Sequence, residues 1–473
     1  MLFSFWLRNW KRSAPAASQR KPMFPRQRVS FRPRLEAFED RLVPSTSIVQ
    51  TNLVSDDTQF TPAQVQDPNL VNPWGLASSP SGEWCVANEG TGTATLYNTS
   101  SSPVTPDSSV VSIPANPEDN PLPAQGSPTG VVFNTTGTGF NVSENGHTGP
   151  SVFLFATADG TISGWSPGVD ATHAIIGATN SGALYSGLAI ATDSQGVTRL
   201  YAADFAKNTI DVYNQNFQLV TSLPGNFTDS KLPSGYSAFN IQAINNKLYV
   251  EYAPVANILA GTAGSGEGAV DVYSADGQLL QRLILSKNSH INQPWAIAMA
   301  PRDFGSFSND LLVGNFGNGN INAFNPRNGQ FVGELKEANG QPVAITHLWG
   351  MEFGNGGAGG PTNTLYFAAG LTSHLAPSDN PFHGLLGSLQ VASHDHDDAK
   401  PAIMLSPTMP TSTVSPPNAM SEQQIDVILQ ELDAVLSLGT DLTAMHPQLT
   451  GSFAMLSPSV EEHSNDDVFE TLL

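Results

Sequence analysis

Short apolar runs alternate with Gly- and Asn-rich turns along most of this chain. Residues 311–335, LLVGNFGNGNINAFNPRNGQFVGEL, show the pattern most clearly, with three strand-length runs separated by two turn clusters. Alternating apolar residues punctuated by Gly and Asn mark a β-meander. A lone meander buries too little to be stable, so it needs partners on both faces. The pattern recurs. NPWGLASSPSGEWCVANEGTGTATLYN begins at Asn72, SPTGVVF at Ser127 and YSGLAIATDSQGVTRLYAADFAKNTIDVY at Tyr185. AFNIQAINNKLYVEYAPV begins at Ala238, NQPWAIAMAPRDF at Asn292 and HLWGMEFGNGGAGGPTNTLYFAAG at His347. With Trp74, Gly130, Gly187, Ile241, Trp295 and Gly350 as equivalent positions, the steps are 56, 57, 54, 54 and 55 residues. Near-constant spacing of weakly similar sheets is the mark of a repeat architecture. Four-stranded units packed radially predict an all-β, six-bladed β-propeller.

The repeats place the propeller at residues 47–391. Its last unit shows only three obvious strands, and SIVQTNLV, residues 47–54, is predicted to supply the fourth and close the ring. Left free, that strand would present an unpaired edge. Residues 1–46 read as a disordered basic leader or targeting segment, and residues 392–473 as a linker and acidic tail. Within the tail, Ser421 and Gln424 form a capping box. An apolar stripe from Ile425 to Leu436 then predicts a helix near 422–438.

Charge refines this division. The whole chain carries a formal net charge of -21, yet ten of its 20 Lys and Arg residues lie between Arg8 and Arg41. The remainder is strongly acidic, which disfavours nucleic acid and anionic membranes and tolerates cations. No run of apolar residues is long enough for a transmembrane helix. The single cysteine, Cys85, excludes an intrachain disulfide and reads either as a core thiol or as a reactive one. No G-x-S-x-G elbow and no H-E-x-x-H motif is present. HDHDD, residues 394–398, has a metal-like composition in a linker, and GNGGAGG, residues 354–360, lacks the Lys of a phosphate loop.

Propeller geometry narrows the search for a site. The ends of second strands and the starts of first strands share the face around one channel mouth. The predicted second-strand ends are Asn88, Thr157, Asp204, Tyr252, Asn315 and Ala369. First-strand starts bring Asn72, Trp74, His290, Asn292, Trp295, His347 and Trp349 to the same face. Asn88, Asp204 and Asn315 either satisfy turn backbones or supply oxygens to a hard cation such as Ca²⁺. Trp74, Trp295 and Trp349, with His347, are either core packing or a ligand platform.

Two resemblances add to this reading. RPRLEAFEDRLVPS, residues 32–45, resembles the LExLEDRxxPS motif common on exported proteins of planctomycete bacteria. NLVSD (52–56), NPWGLA (72–77), VANEGTGTATLYN (86–98), LLVGNFGNGNINAFNPRNGQFVGEL (311–335), LWGMEFGNG (348–356), LYFAAG (365–370) and HGLLGSL (383–389) resemble a functionally uncharacterised bacterial family of exported, propeller-like proteins. The units also look like long NHL-type repeats. These resemblances imply export to the cell envelope or beyond, a fold, and no catalytic residue. The leading expectation is a monomeric extracellular or cell-surface binding module that uses a propeller face against a protein, glycan or small molecule. A metal-dependent hydrolase or lactonase and a structural envelope protein are the alternatives.

Overall fold

The computed structural model describes residues 47–119, 125–259, 264, 266–372 and 382–392, all within the unit Pro44–Leu473. The motif at 32–45, the helix predicted near 422–438 and HDHDD at 394–398 lie outside the described residues. Among the described residues no helix is long and apolar enough to cross a membrane.

The described residues form a six-bladed β-propeller. Blade 1 is built from Pro73–Ser78, Trp84–Asn88, Thr93–Asn98 and Thr105–Ser112. Blade 2 runs through Pro128–Phe133, Phe153–Thr157, Thr161–Trp165 and Ile175–Thr179. Blade 3 has Tyr185–Thr192, Thr198–Asp204 and Thr209–Tyr213, extended by an isolated bridge from Tyr213 to Leu219. Blade 4 contains Tyr236–Ile244, Lys247–Pro254, Ala269–Ser274 and Leu279–Ile284. Pro294–Met299, Leu311–Asn315, Ile321–Phe324 and Phe331–Glu334 make blade 5. The meander of residues 311–335 therefore supplies the outer three strands of that blade.

Blade 6 closes the ring with a strand from the other end of the chain. Leu348–Phe353, Leu365–Thr372 and Phe382–Val391 are completed by Ser47–Ser55, which pairs antiparallel with Phe382–Val391 from Ile48↔Val391 to Ser55↔Leu385. Ile48, Leu53 and Val54 on the closing strand are buried. Asp56, just beyond it, accepts hydrogen bonds from Gly384 N at 2.9 Å and sits 2.7 Å from His383 Nδ1. Phe60 stacks on the His383 ring at 4.0 Å.

The first strand of each blade lies innermost, and neighbouring first strands approach closely. A Cβ on Gly75 would stand 2.8 Å from Val131 N, on Gly130 2.7 Å from Leu188 N, and on Gly350 2.7 Å from Trp74 O. Each neighbour belongs to the next blade, so these glycines set how tightly the ring packs around its axis. Apolar residues on both faces of each sheet fill the gaps between blades. Cys85 is fully buried among them, and burial pushes its thiol up, as expected of a core side chain.

Candidate functional site

The same irregularity occurs in all six blades. Between the first and second strands the register slips once, next to Trp74, Thr129, Ser186, Phe239, Trp295 and Trp349 in turn. A bulge adds one residue to a strand and re-aims its side chain. Here it brings the rings of Trp74, Phe239, Trp295 and Trp349 together at one mouth of the channel. In the three tryptophan blades the residue two places earlier has positive φ: Asn72 at +44°, Gln293 at +52° and His347 at +48°. These left-handed residues turn the chain sharply into the bulge.

The rings meet. Trp74 and Trp349 stack with centroids 3.6 Å apart, and Trp295 stands edge-on to both at 6.2 and 5.5 Å. Phe316 lies 4.3 Å from Trp349, Phe239 lies 6.1 Å from it, and His347 stacks on Phe316 at 5.1 Å. Blades 2 and 3 place Thr129 and Ser186 at the bulge, which leaves room for the rings. Trp295 uses that room, donating its Nε1 hydrogen to Ser186 O at 3.1 Å, from blade 5 to blade 3. Trp349 Nε1 donates to Asn72 Oδ1 at 3.3 Å. All three indoles are buried, so this mouth is filled.

The oxygen-bearing candidates are used within their own blades. Asn88 donates to Thr95 Oγ1 at 3.0 Å and Thr93 Oγ1 at 3.3 Å, and its buried Oδ1 has no hydrogen-bond partner. Asn315 Oδ1 accepts from Asn292 N at 2.9 Å, and its amide donates to Asn320 O at 3.3 Å. Asp204 Oδ1 accepts from the backbone N–H groups of Leu184 and Lys207, both at 3.1 Å, and Oδ2 lies 3.5 Å from Lys207 Nζ. Among the described residues no group of three or more His, Cys, Asp and Glu is placed to hold a metal ion. His290 stacks flat on Phe331 at 3.5 Å, away from the three indoles.

These partners assign Asp204 to turn closure, with a consequence for pH. Burial raises its carboxyl to about 6, against the lowering effects of the Leu184 N–H and the Lys207 charge. The folded form thus holds the proton more tightly than the unfolded chain. This group's contribution is full below about 3.8 and is lost as pH rises through about 6. Asp204→Asn should keep the turn bonds and flatten that pH dependence, with a stability at pH 7 equal to the wild type or higher by on the order of 1–2 kcal/mol. Wild-type melting temperature should be the same in millimolar calcium and in chelator. Calcium-dependent stabilisation that Asp204→Asn abolishes would return the residue to the role of a cation ligand.

Beyond the aromatic plug the channel stays open. A cavity of about 440 Å³ runs from Trp295 to the opposite mouth, where the first strands end. Its walls are first-strand residues of blades 1, 2, 3, 4 and 6, and its polar side chains include Ser78, Thr135, Asn240, Gln242 and Asn355. Glu352 is the one ionisable residue in this lining. Burial pushes its carboxyl up to about 8, with no opposing partner among the described residues. A further carboxyl, Glu251, faces Asn240 in the register of blade 4 and is fully buried, with neither oxygen hydrogen-bonded. Burial raises it well above the ordinary range, so it is held protonated.

Glu352 was absent from the candidates read in the sequence, though a signal was present. Two residues after the bulge-flanking Gly, Asn or Ala, the other blades carry Ala77, Val132, Ala189, Gln242 and Ala298. An acid at a position that is apolar in four of those five blades marks the channel wall.

No protein-family model matches the chain. An uncharacterized protein of Acanthamoeba polyphaga mimivirus, R648, is 33% identical over 293 residues, covering 60% of this chain and 69% of that protein. The chain belongs to the R648 family. A second mimivirus member, the uncharacterized protein L690, is 31% identical over 293 residues, covering 60% of this chain and 74% of that protein. These R648-family relatives are viral, so the bacterial resemblance read from residues 32–45 gains no support from them. Among solved structures, the chain is similar to a streptogramin B lyase at 12% identity and a TM-score of 0.39, covering 73% of this chain and 98% of that one. It is also similar to an aldose sugar dehydrogenase from Streptomyces coelicolor, at 12% identity and a TM-score of 0.40, covering 73% of this chain and all 100% of that one.

Proposed function

We propose that this propeller is a binding module for a small organic molecule, with its site in the central channel. One observation carries the reading: the channel is filled by aromatic rings at one mouth and holds a cavity of about 440 Å³ open towards the other. A preformed concave site with apolar walls and few polar groups is the common form of a small-molecule site. Leu76, Val131, Val132, Leu188 and Ile241 supply the apolar wall here. Acid–base catalysis ordinarily needs two titratable groups with different tasks, and this lining supplies one. Binding is therefore favoured over turnover.

A fragment mixture observed by ligand-detected NMR tests the reading. Hits are expected on the full chain, and Gln242→Trp, which places a large side chain in the wall, should weaken them at least tenfold. Hits indifferent to Gln242→Trp, or no hits at millimolar concentration, would remove the channel as the site.

A further inference from the structure

We infer that the channel selects a protonated amine, an organic cation whose ammonium pairs with Glu352 while its apolar body lies along the first strands. This inference rests on the channel being the binding site, and it names the ligand class.

Three features of the lining converge on it. Among the described residues, Glu352 carries the only ionisable group in the lining, with no Lys, Arg or His there to pair with it. The first strand is the terminal strand of each sheet, so one of its edges is unpaired by the blade and borders the channel. Such an edge presents free C=O groups alternating with free N–H groups, and Asn240, whose Nδ2 donates to Trp295 O at 2.6 Å, and Gln242 add side-chain carbonyl oxygens. An ammonium brings three donors and no acceptor, which suits a wall of this kind. The apolar part of the wall, Leu76, Val131, Val132, Leu188 and Ile241, would face the ligand's hydrocarbon portion.

Other occupants fit less well. A bare Ca²⁺ takes six to eight oxygens in close contact, whereas this cavity offers one carboxylate and is far larger than an ion. An anionic ligand would meet a carboxyl and no Lys, Arg or His in the lining. The chain's net charge of -21 also favours the approach of cations.

Binding carries a proton balance. In the empty channel at neutral pH the carboxyl is mostly protonated. Pairing with an ammonium favours the carboxylate, so Glu352 loses its proton to solvent as the ion pair forms. Amine affinity should therefore rise with pH while the ligand stays protonated.

Isothermal titration of the full chain with 2-phenylethylamine and its uncharged analogue 2-phenylethanol, at pH 6 and pH 8, tests this. The amine should bind at least tenfold tighter than the alcohol at pH 8. Its affinity should rise at least tenfold from pH 6 to pH 8, following the gain in ionised Glu352. Heats measured in buffers of different ionisation enthalpy should show proton release. Glu352→Gln should lower amine affinity to that of the alcohol and remove the pH dependence, with the melting temperature in buffer within a few degrees of the wild type. Equal binding of amine and alcohol, or amine binding without pH dependence, would overturn the ligand class and leave the channel site standing. Failure of both probes at millimolar concentration in the folded protein would overturn the channel site as well.

Discussion

Deleting residues 47–55 should open the ring and lower the melting temperature by at least about 10 °C. The strand Ser47–Ser55 pairs along its whole length with Phe382–Val391 and touches Lys336 and Glu337 on its other edge. Ile48, Leu53 and Val54 are buried by it, and full burial of such side chains is worth roughly 1.5–3 kcal/mol each. Their sum is comparable to the whole stability of a typical domain, about 5–15 kcal/mol. The loss does not stop at three side chains. Removing the strand bares the edge of Phe382–Val391 and exposes Leu386 and Leu389, both fully buried in the closed ring. A synthetic peptide of residues 47–55 should restore the melting temperature, because it supplies the missing ladder against Phe382–Val391. A melting temperature within two or three degrees of the full chain after deletion would show that the ring closes without this strand.

The closing strand was legible in the sequence for a physical reason: the last unit shows only three obvious strands, and a free strand at residues 47–54 would leave an unpaired edge. Second-strand ends were legible as well, because each is followed by a Gly- or Asn-rich turn. Asn88, Thr157, Asp204 and Asn315 end their strands in the structure as expected. In blades 4 and 6 the second strand continues past Tyr252 and Ala369 to Pro254 and Thr372. The bulge was not legible. Strand patterns assume that side chains alternate between faces, and an extra residue breaks the alternation at one point only. Register in the structure pairs Gly75 with Gly130, Gly187, Asn240, Ala296 and Gly350 as equivalent positions. Trp74, Trp295 and Trp349 thus fall one place earlier, on the bulge itself. That single shift sends three indoles into the channel and leaves the opposite mouth as the open one. Glu352 escaped notice for a related reason, since its meaning depends on which strand edge borders the channel.

Replacing Trp349 with Ala should cost about 3–5 kcal/mol, the usual range for emptying a large aromatic core site. Trp349 is the hub of the plug: it stacks on Trp74, meets Trp295 and Phe239 edge-on, carries Phe316 on its outer side and donates to Asn72 Oδ1. Aromatic pairs add about 0.5–1.5 kcal/mol each beyond burial, so the cost should sit towards the upper end. The remaining rings cannot all slide into the gap, because Trp295 is tied to Ser186 O across the channel. The vacancy should join the inner cavity to the filled mouth and admit solvent. Iodide quenching of the remaining tryptophan fluorescence should therefore rise in the Ala variant. Trp349→Phe keeps a ring in the stack and should recover most of the stability, though not the bond to Asn72. The two readings of the tryptophans separate here. If the rings were a platform awaiting a ligand, Trp349→Ala would cost less than about 1 kcal/mol, as surface substitutions do, and quenching in the wild type would already be high. Denaturant unfolding and quenching, measured on the same three proteins, decide between a packed plug and an open platform.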